Sequence, residues 1–139
     1  MRLLLDTHVW LWTILDPFRL SDTVRQLLED DENELWLSAV SVWEAHLLAE
    51  QGKIRLDDLP AQWLDRELAR FPLRDACLTR QVAIESRAIS LPHREDPADR
   101  FIIATANVYD LDLVTADHRI LDATACRLVR ASGPPRQLV

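Results

Sequence analysis

The sequence predicts an α/β fold of three layers, with helices on both faces of a mostly parallel central sheet of four to five strands. The first observation behind this is the order of patterns along the chain: strand, helices, strand, helices, strand, helix, strand. The second is that two of the strand candidates are compact apolar runs, as expected of strands buried by helices on both faces. The third is size. At 139 residues, 48% hydrophobic and 28% charged, the chain has the length of one domain and enough apolar material to bury a core. A domain over residues 1–131 followed by a loose tail over 132–139, carrying Gly133, Pro134 and Pro135, is the expected organisation.

Arg2 to Leu5 is the first apolar run and ends at Asp6. Ser21 is placed to cap a helix reaching about Glu29, and Glu34 to Leu37 is the next strand candidate. Ser38 or Ser41 would cap a helix bearing Val42, Trp43, Ala45, Leu47 and Leu48, which Gly52 stops. Pro60 suits a first helical turn, and Trp63, Leu64, Glu67 and Leu68 follow at helical spacing. Thr79 to Ile89 reads as an amphipathic helix. Asp96 is a natural N-cap with Pro97 in the first turn of a helix through Phe101, Ile102, Ala104 and Thr105. Leu111 to Thr115, ending two residues before Asp117, and Arg127 to Arg130 complete the strands.

Composition removes several function classes. Two glycines in the whole chain leave no glycine-rich phosphate cradle, and with it go most nucleotide-binding readings. Cys77 and Cys126 have neither the spacing of a metal site nor the density of a disulfide scaffold, and read as small core residues of a reducing compartment. Asp6 and His8 interrupt the apolar start, so no export signal is read there. No run of eighteen apolar residues exists for a membrane span, and a cytoplasmic location is expected. A formal net charge of -7 argues against coating nucleic acid by bulk electrostatics, while an enzyme needing clustered acids stays open. Lys53 is the only lysine.

Open α/β sheets place ligands beyond the carboxyl ends of their strands, which directs attention to the polar residues after each apolar run. Asp6 and Asp117 sit there, each with an ordinary alternative as a helix cap. Glu44 lies in an apolar helix, where a carboxylate is costly unless paired or bound to a cation, or else reaches water at the margin of the stripe. Asp99 falls in the first turn of its helix, where it also suits the helix dipole, and Asp96 reads as a cap before a catalyst. Taken together, Asp6, Glu44, Asp99 and Asp117 would share one cleft, and such acids require raised pKa values or a divalent cation. Hard oxygen donors without a histidine or cysteine cluster point to Mg²⁺ or Mn²⁺, and from there to phosphodiester chemistry.

Thr7 and Thr115 flank the first and last of these acids, where a hydroxyl orients a carboxylate or holds a metal-bound water, or simply serves capping and packing. His8, His46, His93 and His118 lack the spacing of a histidine metal site. Five tryptophans, at 10, 12, 36, 43 and 63, have the chemistry to stack bases but sit in segments apolar enough to be core or interface. Arg94 and Arg100 bracket the Asp96 to Asp99 segment, as solvated ion pairs or as phosphate contacts.

Four motifs then carry a resemblance over nearly the whole chain: Leu-Leu-Leu-Asp6-Thr7-His8-Val-Trp, Leu-Ser38-Ala-Val-Ser41-Val-Trp-Glu44, Asp96-Pro-Ala-Asp99-Arg100-Phe-Ile-Ile-Ala-Thr-Ala and Leu-Val-Thr115-Ala-Asp117. In order and spacing they resemble PIN-domain ribonucleases, in particular the VapC-type toxins of toxin–antitoxin pairs. That resemblance implies a PIN-like domain whose metal-binding acids are Asp6, Glu44, Asp99 and Asp117, an RNA substrate cut with Mg²⁺ or Mn²⁺, a homodimer, and a cognate antitoxin that inserts a segment into the active-site groove. Ala98 departs from relatives that often carry a bulkier aromatic, which bears on loop packing and leaves the acids intact. Two other readings stay in view: a PIN-like module that binds RNA or a partner without cutting, and a Mg²⁺-dependent phosphohydrolase. The latter expects a second acid within two residues of Asp6 or a lysine after a late strand, whereas Thr7 and His8 follow Asp6 and Lys53 lies mid-chain.

Overall fold

The computed structural model describes residues 1–91 and 96–132, and contains five strands and seven α-helices among them. In chain order these are β1 (Arg2–Leu5), α1 (Thr7–Leu15), a 3-10 turn (Pro17–Arg19), α2 (Asp22–Glu29), β2 (Glu34–Ser38), α3 (Ala39–Glu50), α4 (Pro60–Arg70) and β3 (Arg74–Ala76). Then follow α5 (Arg80–Ser86), α6 (Pro97–Tyr109), β4 (Asp112–Thr115), α7 (His118–Ala123) and β5 (Leu128–Arg130). All neighbouring strands pair in parallel, in the order β3-β2-β1-β4-β5.

Although the three leucines of β1 form an unbroken apolar run after Arg2, they divide by the period of a strand. Leu3 and Leu5 face a core shared with Trp10, Val24, Ala45 and Trp63, from α1 to α4. Leu4 faces the opposite core, with Val82 of α5, Ile102 and Ile103 of α6, and Ile120 of α7. A strand buried on both faces carries no polar alternation, which is why Leu3 to Leu5 of β1 and Leu113 and Val114 of β4 are consecutive apolar residues. The strand order reverses between β1 and β4: the chain leaves β1 toward β2 and β3, then returns to β4 on the other side. Helices following β1 and β4 therefore diverge to opposite faces, and a crevice opens at the carboxyl ends of these two strands.

Several elements differ from the sequence expectation. Thr7–Leu15 is a helix directly after β1, capped by Asp6. The short β3 has only Ala76 buried and pairs with β2 at the sheet edge. The helix expected over Thr79 to Ile89 stops at Ser86. Of the two candidate caps for α3, Ser38 fills the role, its hydroxyl accepting from the Val40 amide. Of the two cysteines, Cys77 is exposed and not a core residue, whereas Cys126 is half-buried against the core on the α5–α7 side, both as free thiols. Trp10 and Trp63 are buried, whereas Trp43 is exposed. Gly52 adopts φ +70 just past the end of α3, the left-handed backbone that a helix stop favours. Ala131 is fully buried, its amide donating to the Thr115 carbonyl and its carbonyl accepting from Ser21, while residues 133–139 of the expected tail lie outside the described set. No helix among the described residues is long and apolar enough to cross a membrane.

Helix α6 delivers Asp99 and is held by Ile102, Ile103 and Ala104, all fully buried. Ile102→Ala is expected to cost about 2–5 kcal/mol through lost burial and a residual cavity. Thermal unfolding followed by circular dichroism checks this, as a large fall in midpoint with native secondary structure retained at low temperature.

Candidate active site

Three junctions where the chain passes into a helix supply acids to the crevice, and each acid doubles as an N-cap. Asp6 follows β1, and its Oδ1 accepts from the Thr7 amide at 2.9 Å. Asp117 follows β4, and its Oδ1 accepts from the Arg119 amide at 2.9 Å. Asp96 opens α6, its Oδ1 accepting from the Ala98 amide at 3.0 Å. The capping and functional readings weighed for these aspartates are thus compatible in one residue. Asp99 enters from the first turn of α6 and Glu44 from α3.

These five carboxylates line one cleft of about 240 Å³, together with His8, Trp12, Ala116 and Arg119. Asp6 and Asp99 are buried, at 7% and 8% exposure. Burial pushes the Asp6 carboxyl above its usual range, against the opposing effect of hydrogen bonds from Thr115 and the Thr7 amide. Burial also raises Glu44, partly offset by a hydrogen bond with Thr7 and reinforced by the charge of Asp6. Asp99 is pushed up to about 7, first by burial and then by the charges of Asp96, Asp6, Asp117 and Glu44. Every one of the other four acids therefore acts on Asp99.

The two threonines organise this crowd. The fully buried Thr115 hydroxyl donates to Asp6 Oδ2 at 2.7 Å and accepts from the Asp117 amide at 3.1 Å, tying the ends of β1 and β4 together. Thr7, also fully buried, is hydrogen bonded to Ser41 Oγ at 2.9 Å and so joins α1 to α3, one turn from Glu44.

Arg119 was not singled out from the sequence. Its guanidinium reaches back over the cap, with Nε 3.3 Å from Asp117 Oδ1 and an Nη 3.1 Å from Oδ2. The signal available was its position two residues after a capping aspartate, in the first turn of α7. Arg100 donates to the carbonyls of Ile89 at 2.6 Å and Ser86 at 3.4 Å, tying α6 to the end of α5. Arg94 and His93 lie outside the described residues.

Among the described residues, no three such side chains already stand close enough together to form a metal cage. The donor set nevertheless suits a hard divalent ion: carboxylate oxygens around an open cleft, with burial and like charge opposing their ionisation in the absence of a counter-charge. Mg²⁺ in particular is bound by one or two carboxylates with water and substrate phosphate completing its shell.

The sequence profile of the PIN domain matches residues 3–125. The chain is 39% identical over 117 residues to Ribonuclease VapC22 of Mycobacterium tuberculosis, covering 84% of this chain and 88% of that protein. Its fold is similar to VapBC2 from Rickettsia felis bound to a DNA fragment from their promoter, with TM-score 0.70 and 16% identity, covering 95% of this chain and 100% of the other. It is also similar to FitAcB from Neisseria gonorrhoeae, with TM-score 0.58 and 25% identity over 92% and 96% of the two chains. VapBC-5 of Mycobacterium tuberculosis, from the VapBC family of toxin–antitoxin systems, aligns with TM-score 0.64 at 17% identity over 94% and 98%.

Because Asp99 ionises near 7 in the fold and near 3.9 in the unfolded chain, its protonated form favours folding below about pH 4. That contribution is lost as pH rises through 7. In chelator, the protein should unfold at a lower temperature at pH 8 than at pH 5, and Asp99→Asn should flatten this difference and raise the pH 8 midpoint by several degrees. Thr115→Val should act in the opposite sense, losing about 1–2 kcal/mol at either pH through a broken buried hydrogen bond. Differential scanning calorimetry of the variants reads both effects.

Proposed function

Since the chain belongs to the PIN domain family, we propose that it is a divalent-metal-dependent endoribonuclease, the toxin of a toxin–antitoxin pair. The observation that carries this reading is the gathering of five carboxylates around one cleft at the sheet's switch point, three of them held above their usual pKa range. Asp6 and Asp99 are the most direct candidates to hold Mg²⁺ or Mn²⁺, with Glu44 and Asp117 as direct or water-mediated ligands. When bound, the ion supplies positive charge for phosphate oxygens and acidifies the attacking water.

The protein's own residues set the geometry. Thr115 and the Thr7 amide fix both oxygens of Asp6, so its carboxylate cannot swing away when the substrate arrives. Thr7 positions Glu44, and the Arg119 guanidinium, while offsetting Asp117, stands at the cleft's edge where a phosphate approaches. In the proposed reaction a water oxygen attacks phosphorus in line, the bond to the 3′-oxygen breaks, and that oxygen takes a proton. The products carry a 5′-phosphate and a 3′-hydroxyl. Substrate charge is met at the cleft, so a net charge of -7 is compatible with an RNA substrate. The VapBC complexes among its structural neighbours support a cognate antitoxin as partner, and the homodimer rests on the family resemblance alone.

Purified protein should cleave total RNA with Mg²⁺ or Mn²⁺ and leave it intact in chelator. Asp6→Asn and Asp99→Asn should each reduce cleavage at least ~100-fold while remaining folded. Mapping of fragment ends should find 5′-phosphates. A wild-type protein that binds RNA as tightly as Asp6→Asn and leaves every RNA intact would establish a non-cleaving module instead.

A further inference from the structure

The acid cleft already holds a cation of its own. Among the described residues that line it, Arg119 alone carries a permanent positive charge, against five carboxylates. Its guanidinium fork meets Asp117 with Nε 3.3 Å from Oδ1 and an Nη nitrogen 3.1 Å from Oδ2, so one side chain engages both oxygens. The Arg119 amide also donates to Oδ1 at 2.9 Å, and that cap bond stays in place if the side chain leaves. The side chain is 57% exposed, and its contacts are longer than those of Arg66 with Asp57 or Arg127 with Asp112, each at 2.6 Å. An ion pair this open to solvent is weakly held and exchanges readily. Helix stability does not account for the arginine, because it stands in the first turn of α7, where the helix dipole favours acids. What holds it there is the cleft. Asp117 by hydrogen bonding and charge, then Asp99 and Asp96 by charge, make its proton harder to remove.

We propose that Arg119 is a resident counter-ion which a divalent cation displaces from Asp117, and that the released guanidinium then takes a phosphate oxygen of the substrate; this rests on the metal-dependent nuclease reading. The fork occupies a lone pair on each Asp117 oxygen, and a cation drawn to that carboxylate is repelled by the guanidinium beside it. Ion and arginine therefore compete for one acid. The ion has the advantage, since it carries twice the charge and is within the reach of several carboxylates of the cleft, whereas the fork engages Asp117. A guanidinium matches phosphate in the same two-pronged geometry as carboxylate, so the group set free suits the oxygens that arrive with RNA. One positive charge thus serves two partners in turn: it eases repulsion among the acids of the empty cleft, and in the loaded cleft it meets the substrate at the edge. Metal and substrate become coupled, because phosphate gains Arg119 only after Asp117 has given it up.

The test reads metal binding without cleavage. Mn²⁺ alone is titrated into the full chain, and the free ion is counted by its electron paramagnetic resonance signal. Arg119→Gln should bind Mn²⁺ about two- to fivefold more tightly than the wild-type chain, the size of one exposed ion pair. In an Asp117→Asn background, which retains a capping side chain, the same substitution should leave Mn²⁺ affinity unchanged, because the acid through which it acts has lost its charge. With RNA and saturating Mg²⁺, Arg119→Gln should raise KM more than it lowers kcat, and Arg119→Lys, which keeps the charge without the fork, should recover part of the loss. Equal or weaker Mn²⁺ affinity in a folded Arg119→Gln protein overturns the proposal, as does a gain that persists in the Asp117→Asn background or an unchanged KM. The two readings fail separately. RNA cleavage by the wild-type chain with no gain in Mn²⁺ affinity on Arg119→Gln removes the exchange alone, whereas that gain in a chain that cuts no RNA removes the nuclease and leaves the exchange at Asp117 standing.

Discussion

Carboxylates packed together away from water are the constraint around which this molecule is built. Asp6 and Asp99 are more than nine-tenths buried, and burial, reinforced by the charges of four neighbouring acids, pushes Asp99 to a pKa of about 7. An arrangement of this kind destabilises the fold, because each ionised carboxylate gives up hydration and meets like charge in return. Only a scaffold with a substantial core tolerates it, and the two apolar clusters on either face of the sheet provide that reserve. The crowding also confers a strong preference for a positive ion in the cleft, since the free energy held in repulsion is released when a cation enters.

What keeps the acids from dispersing is that they also hold the chain together. Asp6, Asp96 and Asp117 each satisfy a free amide at the start of a helix, so moving the carboxylate would unpair a backbone donor. Thr115 adds a cross-link that neither strand could make alone, donating to the acid after β1 while accepting from the amide after β4. The topological switch point places these two strand ends side by side, and the threonine converts that adjacency into a fixed distance between two acids 111 residues apart in sequence. A serine would retain the hydroxyl but lose the methyl packing and the restricted rotamers that hold it.

The parts legible in the sequence were those where a single physical requirement writes a single pattern. Strands β1 and β4 carry consecutive buried apolar residues because both faces are covered, and α6 announces itself through Asp96 and Pro97. Asp6 and Asp117 appeared because they follow strand ends, Glu44 because a carboxylate in an apolar helix is costly, and Asp99 through its place in the first turn of α6. Helix α1 was missed because Thr-His-Val-Trp-Leu-Trp-Thr-Ile-Leu is apolar on nearly every side and shows no period. Strand β3 was missed because Arg-Asp-Ala at a sheet edge has no apolar face to display, its order coming from pairing with β2. The rotation of α3 was equally hidden. With Val40, Val42, Trp43, Ala45, Leu47 and Leu48 distributed around the axis, no stripe selects the buried side. Ser41 and Ala45 face inward and Trp43 faces water, an outcome decided by close packing and not by hydrophobicity.

That rotation matters because α3 carries an acid of the cleft beside an exposed aromatic. Glu44 and Trp43 are neighbours in sequence, so about 100° of helix separates an acid that lines the cleft from an exposed indole outside it. No adjustment of the helix about its axis improves one without displacing the other. The Thr7 to Ser41 hydrogen bond ties this helix to α1 where both residues are fully buried. This hydroxyl pair has a role beyond packing, since it links α1 to the helix that carries both Glu44 and Trp43. Thr7 is in turn the residue whose amide caps onto Asp6, so the first acid, the helix acid and the exposed indole are referenced to a single position in the chain.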